Sequence, residues 1–247
     1  KGSRLKIQPL TRGKVVSKYE FTMGKELDLK AEQEKTLASP YLRSNFILKG
    51  MYWTMDFLYG KEVSFPKVKV LEILARYPYW AWEKGGYDGL TGLYSRTTDP
   101  DRSKVDHSRH YIWLGRYSQD NEELHMLLAE DLIAQKGVQL SWLKHYLLPR
   151  IMAAVYFCLS HLIFFFSPAT SFYMNAAFES HAEHEYMKFA KTHPEWDNEP
   201  VESKYFELYP RQKSLADLLR RIALDERDHM FHSLHEYEKL TGKTISV

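Results

Sequence analysis

A chain of 247 residues with a net charge of +2 suits one large domain or two small ones. The near-balance of charge argues against a nucleic-acid partner, which requires a concentrated basic surface. A single cysteine, Cys158, excludes a disulfide framework and a cysteine-ligated metal site, and its place in an apolar run predicts a buried, inert thiol.

Residues 1–44 are polar and rich in Lys and Glu, and they read as an extended arm with a short helix around Lys25–Lys35. The opening KGSRLK lacks the apolar core of a signal peptide, as in a chain trimmed of a targeting segment or a truncated piece. From residue 45 to 247 the pattern is that of one helical domain. A first helix over Asn45–Tyr59 is apolar nearly all round, with Lys49 and Asp56 its only charges, so it is either buried or in contact with lipid. A second, Pro66–Lys84, carries Glu72, and Pro78 should kink it or end its regular part. Residues 85–110, with GGYDGL and SRTTDPDRSKVDHSR, read as a long connection. A third helix over Tyr111–Lys136 stops before Gly137.

The most apolar stretch, Ile151–Phe166, has only Ser160 and His161 as clearly polar residues. It falls short of the roughly 20 residues that span a bilayer, which leaves a buried bundle helix or a helix lying in the membrane interface. His161 is expected to be a satisfied or interfacial histidine. Glu179 opens a fifth helix, residues 193–213 form a loop with short helical pieces, and Ser214–Thr241 is the last helix.

Two Glu-x-x-His pairs stand out, Glu122 with His125 and Glu226 with His229. Positions three apart share a helix face, so each pair can aim a carboxylate and an imidazole into one interior. With 20 Glu and 11 His in the chain, about one such pair is expected by chance, so the pairs alone are weak. Their setting is stronger: a lone Glu on an apolar-periodic segment precedes each pair, Glu72 before the first and Glu179 before the second. Glu, Glu-x-x-His, Glu and Glu-x-x-His from four helices make the ligand set of a carboxylate-bridged di-iron or di-manganese centre. On spacing alone, solvated helix faces remain the alternative. Four buried carboxylates without metal would repel one another strongly, which argues against a purely structural cluster.

The strings DFLYGKEVSFPKVKVLEILARYPYWAW, NEELHMLLAEDL, LIFFFSPATSFYMNAAFESHAEHEYMKF and ALDERDHMFHS complete the pattern. Through them the chain resembles the alternative oxidases, and most of all their plastid terminal oxidase branch, over about Asp56–His235. The ESHA-x-x-x-Y pattern and the Ser-Pro turn before it favour that branch. The resemblance implies an all-α, ferritin-like four-helix bundle holding a di-iron centre, with additional membrane-interface helices. It implies two iron ions held by Glu72, Glu122, His125, Glu179, Glu226 and His229. Tyr186, seven residues after Glu179, matches a catalytic tyrosine beside the metals, and Asn121 and Asp225 match positions that support the ligands. Lys67, Leu71, Ala182 and Glu185 would line the quinol pocket. Lys67 stands where relatives usually carry Arg, Glu185 replaces a usual Thr, and the segment between Glu72 and Glu122 looks longer than in mitochondrial members.

The implied reaction is oxidation of quinol and reduction of O2 to water without proton pumping. Plastoquinol is favoured as reductant, with ubiquinol as the alternative. The expected setting is a monotopic place on the plastid thylakoid membrane, or else on the mitochondrial inner membrane, as a homodimer or a membrane-complex subunit. Two other classes stay open at this stage: a catalytically silent subunit derived from the family, and a soluble di-iron hydroxylase or iron oxidase.

Overall fold

A computed structural model describes residues 18–247, and these form seven α-helices with no strand among the described residues. The helices are α1 (Leu29–Ala38), α2 (Phe46–Tyr59), α3 (Phe65–Tyr94), α4 (Arg102–Gln135), α5 (Leu148–Phe166), α6 (Pro168–Thr192) and α7 (Leu215–Thr241). Their starts are written locally. The side chains of Asn45, Ser64, Asp101, Ser167 and Ser214 each accept a hydrogen bond from a backbone N–H in the first turn that follows. Pro168 sits at the start of α6, where its missing N–H costs nothing. Gly242, at φ 69°, adopts the left-handed conformation that ends α7.

Helices α3, α4, α6 and α7 form the bundle. Lys69 meets Glu130, and Arg116 meets Glu83, so α3 and α4 run antiparallel. Asn175 meets Ser233 and Glu183 meets Arg227, which sets α6 antiparallel to α7. The four segments with the candidate ligands thus lie on four neighbouring helices, as the ferritin-like reading expects.

Three expectations are corrected. First, residues 85–110 are not a long connection, because α3 continues through Pro78 to Tyr94 and α4 begins at Arg102. The glycines there serve close helix packing. A Cβ on Gly86 would fall 2.5 Å from the carbonyl oxygen of Ser108, and one on Gly115 would fall 2.5 Å from that of Tyr79. Second, Glu179 lies in the middle of α6 and does not open it. Third, Cys158 is exposed, on the outer side of α5.

Helix α5 is preceded by a π-helical turn, Leu143–Leu147, and together they make a 24-residue helical segment with an 18-residue stretch of mean hydropathy 1.7. By length and composition it could cross a membrane. It lies along α3, however, burying Ala153 and Tyr156 against Val70, Leu74 and Met55. Ile151, Val155, Leu162, Phe165 and Phe166 point outward and are more than half exposed. The first helix is likewise one-sided: α2 buries Leu48 and Met55 and exposes Phe46, Trp53 and Phe57.

Of the expected arm, residues 1–17 lie outside the described residues. Residues 18–44 rest against α6 and α7, and their helix is α1, N-capped by Asp28 and shifted a few residues beyond Lys25–Lys35. Arg227 of α7 holds α1 through Glu32, at 2.5 Å, and Thr36, at 2.8 Å. It also reaches Glu183 of α6 at 2.8 Å. Asp228 accepts the backbone N–H groups of Thr22 and Met23 at 2.7 and 2.8 Å.

Candidate metal centre

Each bundle helix directs one face inward, and on those faces the acids and imidazoles converge. Glu72, Glu122, His125 and Glu226 form one set, and Glu122, Glu179, Glu226 and His229 form another. Within each set the potential ligand atoms lie within 4.8 Å of one another, and every residue is buried. Glu122 and Glu226 belong to both sets, the placement needed for carboxylates that bridge two ions. The Nδ1 of His229 is 2.7 Å from Glu122 and 3.1 Å from Glu226, and that of His125 is 3.0 Å from Glu226.

The donor set fits a metal because several of its atoms have no hydrogen-bond partner among the described residues. Both carboxylate oxygens of Glu122, one each of Glu72 and Glu179, and Nδ1 of His125 are buried without a hydrogen-bond partner. Unpaired buried groups of this kind carry a large desolvation cost. Electrostatics agree. Burial, then the charge of Glu122, pushes the Glu72 carboxyl up to about 7. Burial and the charges of Glu122 and Glu226 raise Glu179 well above the carboxylate range. Burial alone would lower both histidines, yet Glu226 raises His125 and Glu122 raises His229 well above their ordinary value. Oxygen and imidazole donors suit iron, and two ferrous ions would neutralise the four carboxylates.

Two tyrosines flank the cluster in a reciprocal arrangement. Tyr186, seven residues after Glu179 on α6, donates its hydroxyl to Glu72 of α3. Tyr79, seven residues after Glu72 on α3, donates to Glu179 of α6 at 2.6 Å. Because α3 and α6 run antiparallel, each tyrosine reaches the other helix's carboxylate. Asn175 donates to the Tyr79 oxygen at 2.9 Å and to Glu179 at 3.1 Å, closing that side. The sequence reading missed Tyr79, although the same spacing of seven that marked Tyr186 could have found it.

Asp225 lies 3.3 Å from Nε2 of His125, opposite the face turned to the cluster. Tyr209 donates to Asp225 at 2.6 Å, and Arg221 pairs with its other oxygen. Burial alone would raise this carboxyl, but contacts with His125, Arg221 and Tyr209 hold it down at about 2. Asn121, the other expected supporting residue, makes no hydrogen bond to the cluster, and its Oδ1 is buried and unpaired. Tyr209 gave no signal in the sequence, since it lies in the loop before α7.

A cavity of about 30 Å³ touches Glu72, Glu122, Glu179, Glu226 and Tyr186. Leu71, Ala182 and Glu185 line it, and so does His181, which the sequence reading did not select. His181 stacks on Tyr52 at 4.1 Å between ring centres. Glu185 accepts from Tyr41 at 3.2 Å and from Lys188 at 3.0 Å. Lys67 is placed elsewhere. Its ammonium donates to Asp56 at 2.7 Å and to the carbonyls of Gly60 and Lys61 at 2.8 and 3.2 Å, closing the end of α2.

A family model described as Alternative oxidase matches residues 103–237, more than half of the chain. No curated protein matches it. The matched segment spans α4, α6 and α7, which carry five of the six clustered acids and imidazoles, while α3 with Glu72 lies before it. The chain therefore belongs to the alternative oxidase family, non-haem di-iron quinol oxidases that act at the membrane.

Proposed function

We propose that this protein oxidises plastoquinol at one membrane surface and reduces O2 to water, with Glu72, Glu122, His125, Glu179, Glu226 and His229 holding the two irons. The observation that carries the assignment is the nesting of the two four-residue sets, which share Glu122 and Glu226 and leave buried carboxylate oxygens unpaired. When bound, the irons supply electron storage and O2 activation. Two quinols lose four electrons and four protons, and one O2 takes them up to give two waters.

The chain's own residues supply the rest. Asp225 and Tyr79 orient His125 and Glu179, the role of groups one step out from a metal ligand. Tyr186 faces the cavity while bonded to Glu72, so its phenol is placed to relay an electron and proton between quinol and centre. The cavity, at about 30 Å³, exceeds the roughly 10–15 Å³ that admits one water and is far below the ~300 Å³ of an ordinary ligand site. It suits a molecule of the size of O2, and a quinol ring must dock at its rim by displacing Leu71 or Glu185. Glu185, held by Tyr41 and Lys188, is positioned to accept a quinol proton.

The exposed apolar sides of α2 and α5 form the proposed membrane contact, and α5 lies along the bundle without crossing the bilayer. Quinol protons and those consumed in water then belong to the same side, and no proton is pumped. The ESHA-x-x-x-Y pattern that resembles the plastid branch lies on α6, which lines the cavity, and this supports plastoquinol over ubiquinol. The test of the ligand assignment is iron content with Mössbauer spectroscopy. Wild type should hold two coupled irons per chain, and Glu226→Ala, which strips both sets of a shared ligand, should lose both. A variant that keeps a coupled pair removes Glu226 from the centre.

A further inference from the structure

A cleft of about 530 Å³ lies between α3, α4 and the start of α5. Its volume falls within the range of ordinary ligand sites, about 300–1,000 Å³. Three cations line it, Lys69, Arg76 and Arg150, against one carboxylate, Glu130. Lys69 is 3% exposed and takes up that carboxylate, with its Nζ 2.6 Å from Glu130 and 4.3 Å above the centre of the Tyr146 ring. Arg76 and Arg150 are left with no ion pair among the described residues, and Nε of Arg76 is buried without an acceptor.

We infer that this cleft takes the phosphate of an anionic membrane phospholipid, with Arg76 and Arg150 as its guanidinium donors. An unpaired, buried guanidinium N–H calls for an anionic oxygen, and guanidinium groups match the several acceptors of a phosphate. The rest of the lining is the wall an acyl chain needs: Tyr77, Trp80, Ala153 and Phe157, with Trp80 and Phe157 in edge contact at 4.9 Å. Arg150 adjoins the outward stripe of α5, next to the exposed Ile151. A lipid with its tails against that stripe therefore carries its phosphate to the mouth of the cleft. The π-helical turn at Leu143–Leu147 brings His145 and Tyr146 into the same mouth, and such turns concentrate at functional sites. The inference rests on the reading of the α2–α5 face as a membrane contact and adds to it a lipid-selective site that shares no lining residue with the cavity at the metal cluster.

The experiment is vesicle flotation with the purified, iron-loaded full chain. Vesicles of phosphatidylcholine alone are compared with phosphatidylcholine mixed with phosphatidylglycerol. The site predicts tighter binding to the mixture, by about fivefold for each arginine engaged. Arg150→Gln and Arg76→Gln should lose that increment while keeping binding to phosphatidylcholine, helicity and iron content. Arg76→Lys keeps the charge but not the planar donor, and the site predicts that it loses the increment as well. Retention of the increment in Arg76→Lys would mean diffuse surface charge and overturn the site. Binding of inorganic phosphate that is lost in Arg76→Gln, with no lipid increment in the wild type, would make it a free-anion site and overturn the lipid assignment. A change of oligomeric state in Arg150→Gln would make the cleft a contact with a second copy and overturn it too. Binding to phosphatidylcholine without any increment overturns this inference alone, and no binding to either vesicle overturns the membrane contact with it.

Discussion

Removing the Tyr79 hydroxyl tests whether the cluster depends on its supporting bonds. Tyr79→Phe deletes a 2.6 Å hydrogen bond to Glu179 and leaves the ring in its buried site, 1% exposed and edge-on to His229. A hydrogen bond to a charged group contributes about 1.5–3 kcal/mol. Loss of an outer partner of a metal ligand costs about 10- to 100-fold in affinity, the same range by an independent route. Asn175 still donates to the same Glu179 oxygen, so the lower end, about tenfold, is expected. The loss should fall on the ion held by Glu179 and His229. The assay is competition of the iron-loaded protein with a ferrous chelator, followed by iron analysis. Wild type should release its two irons together, whereas Tyr79→Phe should pass through a one-iron state at lower chelator concentration. Tyr186→Phe is the comparison: Tyr186 faces the cavity and Tyr79 does not, so turnover should fall further than iron affinity. Identical chelator curves for wild type and Tyr79→Phe would refute the reasoning.

Arg227 ties α7 to α1 and α6, and breaking such a buried pair costs about 3 kcal/mol. Arg227→Ala should therefore lower the melting temperature and open Lys30 and Lys35 to trypsin while iron content stays at two per chain; unchanged proteolysis would contradict this. The metal-free protein should lose stability as pH rises from 4.5 to about 7, because Glu72 is protonated more readily when folded than when unfolded. The iron-loaded form should lack this slope, which thermal denaturation across that window would reveal. Glu185→Gln keeps the hydrogen-bond acceptor but not the base, so quinol turnover should drop with little change in iron content; an unaffected rate would remove Glu185 from proton transfer.

The sequence made the candidate cluster legible because each acid and imidazole in it obeys helical spacing, and four short strings carry all six residues. DERDH is the fullest case: Asp225 meets His125, Glu226 and His229 face the cluster, Arg227 ties α1, and Asp228 fastens residues 22–23. Glycine was misleading. Gly86 and Gly89 looked like loop punctuation, yet a Cβ on either would collide with Ser108 of α4. That requirement lies between helices, so it leaves no mark within either one. Cys158 failed for a related reason. An apolar neighbourhood predicts burial only when the apolar face meets protein, and the outer face of α5 does not. Lys67 and Tyr209 show the limit of matching positions along a chain, since their roles depend on which groups another segment brings to them.

Quinol-dependent O2 uptake, measured on the same preparation as its iron content, tests the central claim most directly. The account predicts two irons per chain, consumption of two quinols for each O2, a higher kcat/KM for plastoquinol than for ubiquinol, and loss of both iron and activity in Glu122→Ala. Two irons per chain with no turnover on either quinol would contradict it.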